Sequence, residues 1–291
     1  MKKFFSFAVV ALAAVSMFSF ASCKPAEKQI GLQLYSVNQD MGNVDASLAK
    51  VAKAGYTVVE TLGSPVCFGF PAAEFKALCN KHGLSIISTH TSIAMNPQNE
   101  AAVMEQWRAV FEGLKTMGAK YCVIPGFGLG RDLKELKAVC DYFNKVGKLG
   151  KEYGIMLGYH NHSQEYKNLE GTDKVMWEYL VENTNPEYVF FEMDVYWCTM
   201  GEKDPIAYLQ KYPERIKMLH IKDEFVIGES GKINFEGIFK QFYKNGYKDF
   251  VVEIETPREL RAQRGDAAAQ QKTNNAMFEA AKKSAQYLQN A

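Results

Sequence analysis

Short apolar runs rich in branched side chains alternate eight times with longer stretches of helical period, from Ile30 to the end of the chain. The runs predicted as strands are residues 30–34, 57–60, 85–89, 121–125, 155–159, 189–194, 216–221 and 250–255. Glycine stands just past several of the helical stretches, as at Gly55 and Gly246, where it favours helix termination. This α/β pattern predicts a single (β/α)8 barrel, the TIM barrel of parallel strands.

An open, doubly wound sheet is the alternative arrangement of such strand–helix units. That fold carries a glycine-rich dinucleotide fingerprint after a strand. The nearest match is residues 126–131, GFGLGR, in which Arg131 occupies the position of the third glycine. We interpret this run as a strand–helix loop. Since no linker or low-complexity segment divides the sequence, one domain is expected.

The N-terminus has the pattern of a bacterial lipoprotein signal peptide. Lys2 and Lys3 precede an apolar run, and Ala21-Ser22-Cys23 is typical of a lipoprotein cleavage box. We therefore expect a signal peptide over residues 1–22, a lipid on Cys23, a tether over residues 23–28 and a catalytic barrel over residues 29–291. The protein would then be exported to the periplasm or cell envelope, with the lipid as its membrane contact. Secretion without lipidation is the alternative.

The charge balance limits the partners. Of 34 Lys and Arg residues, two lie in the predicted signal peptide, which leaves 32 basic against 33 acidic residues. Nucleic-acid binders carry a basic excess, so neither nucleic acid as a partner nor nuclease activity is expected. Sugar phosphates are scarce outside the cytoplasm, so export favours an unphosphorylated substrate. The five cysteines beyond Cys23 lack the spacing of a metal knuckle, and we expect buried structural thiols.

Polar side chains collect where the predicted strands end. The histidines at these positions are His90, His160, His162 and His220, and the carboxylates are Glu60, Asp194, Glu253 and Glu255. Side chains alternate along a strand, so Glu192 shares a face with Asp194, as Glu253 does with Glu255. The carboxyl ends of the strands meet at one mouth of a TIM barrel, where the active site forms. Burying such groups without partners is costly, so a metal ion or a polar substrate is expected there.

A set that mixes imidazoles with carboxylates suits a divalent cation such as Mn, Co, Zn or Fe, with Mg less favoured. The candidate ligands are His160, Asp194, His220 and one of the pair Glu253 and Glu255. They come from predicted strands five to eight, and therefore from one side of the barrel mouth. A hydrogen-bond network without a metal is the alternative.

Five sequence motifs are similar to those of a known family. They are Gly31-Leu32-Gln33-Leu34-Tyr35-Ser36, His160-Asn161-His162 with Glu165, Asp194-Val195-Tyr196-Trp197, His220-Ile221-Lys222-Asp223, and Gly246-Tyr247 followed by Glu253-Ile254-Glu255. Together they resemble the sugar isomerase/epimerase superfamily with the xylose isomerase-like barrel, over nearly the whole mature chain. The resemblance implies one divalent metal ion held by His160, Asp194, His220 and Glu253, with Glu255 as the alternative to Glu253.

The resemblance also implies a reaction class. His160 stands where the family's ketose epimerases carry glutamate, which places the chain closer to inosose dehydratase and to lyases or hydratases of 3-keto sugars. In such enzymes a base removes the proton beside a metal-polarised carbonyl and an enediolate forms. We expect a lyase or hydratase of an unphosphorylated keto-sugar. An isomerase or epimerase of the same fold, and a non-catalytic carbohydrate-binding lipoprotein, are the alternatives.

The remaining candidates are assigned by their position at the barrel mouth. Those for acid–base catalysis are His162, Lys222 and Glu255, with His90 as a further possible base. Those for substrate binding are Gln33, Glu60, His90 and Trp197. Lys222 is expected either to donate to a departing or arriving oxygen or to form a surface salt bridge with Asp223 or Glu224. The sequence predicts neither the sugar nor the oligomeric state.

Overall fold

Eight parallel strands close into one barrel, as predicted. The computed structural model describes residues 28–263 and 265–290, so the predicted signal peptide, Cys23 and most of the tether lie outside the described residues. The barrel strands, in chain order, are β1 (Gly31–Gln33), β2 (Val58–Leu62), β3 (Ser85–His90), β4 (Tyr121–Ile124), β5 (Met156–His160), β6 (Val189–Asp194), β7 (Ile216–Ile221) and β8 (Asp249–Val252). Each strand pairs with the next along the chain, and β8 pairs with β1 to close the ring.

Helices cover the outside of the barrel. They are α1 (Val44–Lys53), α2 (Ala72–Lys81), α3 (Glu100–Met117), α4 (Leu133–Glu152), α5 (Met176–Asn183), α6 (Val195–Met200), α7 (Pro205–Lys211), α8 (Phe235–Lys244) and α9 (Ala267–Asn290). A long 3-10 segment, Leu34–Asn43, and a two-stranded hairpin, Val66–Cys67 with Phe70–Pro71, are inserted after β1 and β2. Among these described helices, none combines the length and apolar character needed to span a membrane.

The closing contact between β8 and β1 depends on Gly31, which lies opposite Val251 in the register. A Cβ atom at this position would lie 2.6 Å from the carbonyl oxygen of Phe250 and 2.8 Å from the side chain of Val251. Separations this short are not tolerated between non-bonded heavy atoms, so a side chain here would push the two strands apart. Glycine therefore allows the first and last strands to approach and close the barrel.

The last strand is shorter than the sequence predicts. The prediction extended it to residue 255, whereas β8 ends at Val252. The reason is that β1 has only three residues before the chain turns into the 3-10 segment. The amide of Ile254 then donates to the hydroxyl of Ser36, 2.9 Å away, instead of extending a strand ladder. Glu253 and Glu255 consequently lie just beyond the strand, and alternation no longer describes their relative orientation.

The barrel interior has an apolar layer beneath a polar one. Val58, Ile87, Val123, Phe190, Met218 and Val251 form a separate buried cluster. Phe190 is two residues before Glu192 on β6, so the two side chains point to the same inner face and the polar layer lies directly above. The five described cysteines are all buried free thiols, which confirms that prediction.

Candidate functional site

The polar layer opens into a cavity of about 430 Å³ at the carboxyl ends of the strands. Seven of the eleven predicted site residues line it: His90, His160, His162, Trp197, Lys222, Glu253 and Glu255. Tyr35, Leu62 and Pro125 also contribute to the wall and were not among the predicted site residues. The strand order thus brings together side chains from β3 to the loop after β8, as the TIM-barrel architecture requires.

Three of the predicted metal ligands form a compact group. One ligand atom from each of Asp194, His220 and Glu253 lies within 4.8 Å of the other two. The Nε2 atom of His220 is 2.9 Å from Oε2 of Glu253. His160, the fourth predicted ligand, places its Nε2 3.9 Å from Oδ2 of Asp194. His160 is thus near Asp194 but, like Glu255, lies outside the group in which each ligand atom is within 4.8 Å of the others.

Asp194 carries the clearest sign of a missing partner. Its Oδ1 atom accepts a hydrogen bond of 2.7 Å from the amide of Trp197 and caps helix α6. Its Oδ2 atom is buried and has no hydrogen-bond partner among the described residues. A buried carboxylate oxygen without a partner costs free energy. Because this oxygen lies beside an imidazole and another carboxylate, a cation fits the position.

The backbone around Asp194 is held by Asn161. The side-chain amide of Asn161 donates to the carbonyl oxygen of Asp194 at 3.2 Å, and its oxygen accepts from the Asp194 amide at 3.1 Å. Asn161 follows directly after His160, the last residue of β5. This two-way contact ties the ends of β5 and β6 together, so His160 and Asp194 keep a fixed relative position.

Glu192 lies at the centre of the polar layer and was not among the predicted site residues. It is fully buried, and its Oε2 atom is 3.1 Å from Nε2 of His90, 3.1 Å from Nδ1 of His160 and 3.5 Å from Nδ1 of His220. These four residues form a second group that could hold a cation. Strand alternation already placed Glu192 on the face of Asp194. The sequence signal that could have identified Glu192 as a site residue was an acidic side chain on the inner face of a buried strand.

Gln33 and Glu60, predicted to bind substrate, lie beneath the cavity. Both are fully buried, and neither is among the described residues that line the cavity. Gln33 donates to Oε1 of Glu60 at 2.7 Å, Ser88 donates to Oε2 at 2.5 Å, and Nε2 of His90 is 3.0 Å from Oε1. In this structure the two residues support His90 and do not face the substrate, because their polar atoms are already paired inside the barrel.

Lys222 is buried at the cavity wall and forms ion pairs there. Its Nζ atom is 2.8 Å from Oε2 of Glu255 and 3.3 Å from Oε2 of Glu253, and it lies 5.3 Å above the ring centre of Trp197. The expected surface salt bridge is therefore wrong. The Asp223 carboxylate instead accepts hydrogen bonds from backbone amides, and Glu224 pairs with Lys232. Lys222 lies in the inner polar layer because it follows His220 by two residues, on the inner side of the chain.

His162 stands in the wall between His160 and Trp197. Its ring centre is 5.1 Å from that of His160 and 6.0 Å from that of Trp197. The Nδ1 atom is buried and without a hydrogen-bond partner among the described residues. The backbone amide of His162 donates to Glu165 at 2.9 Å, and Glu165 also accepts from the Tyr159 hydroxyl at 2.8 Å. The loop that carries His162 is thus anchored to the core, while part of its ring remains available.

Burial and neighbouring charges shift the pKa values of this site in different directions. Burial raises the pKa of Asp194 to about 7, and burial with the nearby His220 lowers the pKa of His160 to about 3. Burial alone would lower the pKa of His90, but the carboxylates of Glu60 and Glu192 raise it to about 10. Burial lowers the pKa of His162 as well. His160 and His162 are therefore neutral at pH 7, the form in which an imidazole can bind a metal or accept a proton.

A closed parallel barrel with imidazole and carboxylate groups at its carboxyl mouth defines a TIM-barrel protein whose polar site contains side chains that could hold a metal ion. The chain belongs to the xylose isomerase-like TIM barrel family, which it matches over residues 48–281. The family resemblance predicted from the sequence motifs is therefore confirmed, as is the fold.

Solved structures and characterised relatives agree with this membership. A sugar phosphate isomerase/epimerase from Parabacteroides distasonis ATCC 8503 is 32% identical, with a TM-score of 0.81 over 93% of this chain and 98% of that chain. A D-psicose 3-epimerase from Clostridium cellulolyticum H10 shares the fold, with 15% identity and a TM-score of 0.70 over 90% of this chain and 98% of that chain. An inosose dehydratase from Clostridium beijerinckii is 28% identical over 142 residues, 41% of this chain. That match spans 46% of the dehydratase, less than half of its length.

Proposed function

We propose that this protein is a divalent-metal-dependent enzyme that acts on an unphosphorylated keto-sugar as a lyase or hydratase. The observation that carries the proposal is the buried, unpartnered Oδ2 atom of Asp194, which lies beside His160, His220 and Glu253 at the base of a cavity. The inosose dehydratase relative and the sugar isomerase/epimerase neighbour support a sugar as the substrate class.

His160, Asp194, His220 and Glu253 would hold the cation, which can be Mn, Co, Zn, Fe or Mg. When bound, it supplies Lewis acidity that polarises a carbonyl and acidifies the adjacent C–H bond. The group formed by Glu192 and three histidines is the alternative location, but both groups need His220. A neutral imidazole has one lone pair, so His220 can serve only one of them. Both groups contain a buried carboxylate oxygen without a hydrogen-bond partner among the described residues, but the other oxygen of Glu192 is already within hydrogen-bond distance of His90 and His160, and we therefore place the cation at Asp194.

The acid–base steps are assigned to side chains of the cavity wall. His162, which lines the cavity and whose pKa burial lowers, is placed to take the proton from the substrate carbon. Lys222 remains protonated because Glu253 and Glu255 lie beside it, so it can donate a proton to a departing oxygen. Glu255, half-exposed, then accepts or returns protons at the solvent side. Trp197 offers an apolar face to the sugar.

An isomerase or epimerase is the second candidate, because it shares the first half of this reaction. The two alternatives differ in the step after proton removal, which is either return of a proton or loss of a β-oxygen. A buried lysine at hydrogen-bond distance from two carboxylates favours loss of an oxygen, since it supplies a proton to the leaving group.

Incubation of the purified protein with keto-sugars in D2O, with and without a chelator, tests the proposal. A lyase produces enone absorbance and releases a β-oxygen, whereas an epimerase incorporates deuterium without an enone. Elemental analysis of the same sample should give one divalent ion per chain. If no stoichiometric metal is found and sugar binding is unaffected by the chelator, the protein is a carbohydrate-binding lipoprotein and the proposed enzyme activity is wrong.

We also propose that the protein is exported and lipid-anchored at Cys23. The supporting observation is the lipobox-like Ala21-Ser22-Cys23 after a short apolar run. Labelled fatty acid should be incorporated into the wild type and not into Cys23→Ala, and the wild type should fractionate with the envelope. Equal labelling of both proteins would contradict the lipid anchor.

A further inference from the structure

Glu192 contacts three imidazoles with a single carboxylate oxygen, and it does so at the centre of the barrel. The distances from its Oε2 atom to His90, His160 and His220 are 3.1, 3.1 and 3.5 Å. The residue is fully buried and is not among the described residues that line the cavity. Substrate in the cavity would therefore meet the histidines, and Glu192 can act only through them.

We propose that Glu192 is a positioning residue that selects which ring nitrogen of His160 faces the metal centre. This inference rests on the metal centre proposed above. A neutral imidazole carries one N–H and one lone pair, and a carboxylate only accepts hydrogen bonds. Nδ1 of His160, which is within hydrogen-bond distance of Glu192, must therefore carry the hydrogen. The lone pair is then on Nε2.

The position of Nε2 of His160 agrees with this assignment. Nε2 of His160 is on the side of Asp194, 3.9 Å from Oδ2, and Nε2 of His220 is 2.9 Å from Oε2 of Glu253. Both Nε2 atoms thus point to the same group of carboxylates, which includes the unpartnered oxygen of Asp194. Carboxylates that accept the second N–H of a metal-binding histidine fix its tautomer and its ring orientation. Glu192 would do this for His160.

His90 connects this carboxylate to the opposite side of the barrel. Its Nε2 atom lies between Oε2 of Glu192 and Oε1 of Glu60, at 3.1 and 3.0 Å. Glu60 in turn is held by hydrogen bonds from Gln33 and Ser88. The position of Glu192 is therefore supported from β2 and β3 as well as from β5 and β7. Glu60 is a second buried carboxylate of the same network, and its partners are Gln33, Ser88 and His90. Because it is bonded to neither His160 nor His220, it provides a matched control.

Binding of Co²⁺ to the wild type, Glu192→Gln and Glu60→Gln tests the inference by calorimetry and by the Co²⁺ absorption spectrum. We expect Glu192→Gln to weaken Co²⁺ binding by roughly 10- to 100-fold and to shift the spectrum, the usual effect of removing such a support. Glu60→Gln should change the affinity by less than about threefold. Equal affinities for the wild type and Glu192→Gln, or an equal loss in both variants, would overturn the inference.

Histidine ¹⁵N spectra of the metal-free protein give a readout that does not depend on the metal. The wild type should show the Nδ1–H tautomer for His160, and Glu192→Gln should show a mixture or the other tautomer. If Glu192→Gln fails to fold, Glu192→Asp, which keeps the charge on a shorter side chain, takes its place in both experiments. An Nε2–H tautomer in the wild type, or a cation bound to Nδ1 with Glu192 as a ligand, would overturn the inference. If the wild type binds no Co²⁺ but shows the Nδ1–H tautomer, the proposed metal centre fails and the orienting role of Glu192 stands.

Discussion

The two sides of the barrel mouth contain the same kinds of side chain, but they differ in whether the buried carboxylate oxygens have hydrogen-bond partners. On the side of β1 to β3, both carboxylate oxygens of Glu60 have partners, supplied by Gln33, Ser88 and His90. On the side of β5 to β8, one oxygen of Asp194 and one of Glu192 are buried without a hydrogen-bond partner among the described residues. The carboxylate of Glu60 is thus satisfied by its neighbours, whereas the carboxylates of Asp194 and Glu192 each leave one oxygen without a partner among the described residues. Among these carboxylates, an unpaired oxygen and not burial therefore distinguishes the side on which we place the cation.

The largest expected effect is that of Asp194→Asn. The amide keeps the shape of the side chain but loses the charge that a cation needs, so Co²⁺ binding should fall by far more than the roughly 100-fold upper range for indirect supports. Turnover of the sugar should be lost with it. Calorimetry and the D2O assay measure the two effects, with Glu60→Gln as the control on the opposite side of the mouth. If Asp194→Asn binds Co²⁺ like the wild type, the two sides do not differ in the way described above.

Lys222→Met should separate catalysis from metal binding. The methionine retains most of the apolar stem over Trp197 but cannot donate a proton. We expect kcat to fall by roughly 10²- to 10⁴-fold, the usual contribution of a general acid, while Co²⁺ still binds. Lys232→Met, which removes an exposed lysine paired with Glu224, should leave kcat unchanged. A kcat for Lys222→Met equal to that of the wild type would remove Lys222 from the mechanism.

Metal binding should depend on pH near neutrality. Burial raises the pKa of Asp194 to about 7, so the protonated form of this acid is favoured in the folded, metal-free protein below that pH. A cation must displace this proton, and from this group alone affinity should therefore decrease by up to about tenfold for each unit below pH 7. His160 adds no dependence in this range, because its pKa is lowered to about 3. Burial would lower the pKa of His220, but Glu192 and Glu253 raise it well above its ordinary value, so His220 contributes a second proton that the cation must displace. Co²⁺ titrations between pH 5.5 and 8 measure the effect, and a constant affinity across this range would contradict it.

The smallest effect concerns the satisfied side. Ser88→Ala removes the only hydrogen-bond donor described for Oε2 of Glu60 and leaves a buried carboxylate oxygen unpaired. The free energy of unfolding should decrease by about 1–3 kcal/mol, with little change in Co²⁺ affinity. Ser85→Ala, at an exposed position on the same strand, should cost less than about 0.5 kcal/mol. Urea denaturation measures both variants. A large loss of metal affinity in Ser88→Ala would show that the two sides are more tightly coupled than their contacts indicate.

Much of the barrel mouth could be predicted from the sequence because it depends on local position. His160 and Asp194 are the last residues of their strands, and parallel strands bring all their carboxyl ends to one edge. Glu192 was missed because it lies one layer deeper, where a carboxylate is expected only if partners surround it. Those partners, His90 and His220, are far away in the sequence, so only the closed barrel reveals them.

The eightfold alternation of apolar runs and helical stretches was sufficient by itself to determine the barrel. It also determined which mouth of the barrel carries the polar residues, since both features depend on periodicity along the chain. The tertiary structure alone decided the partners of each polar atom. Gln33 and Glu60 lie below the cavity and Lys222 pairs with Glu253 and Glu255, because hydrogen bonds and ion pairs form between groups from distant strands. Such distances are set by the curvature and closure of the sheet, which no local pattern encodes.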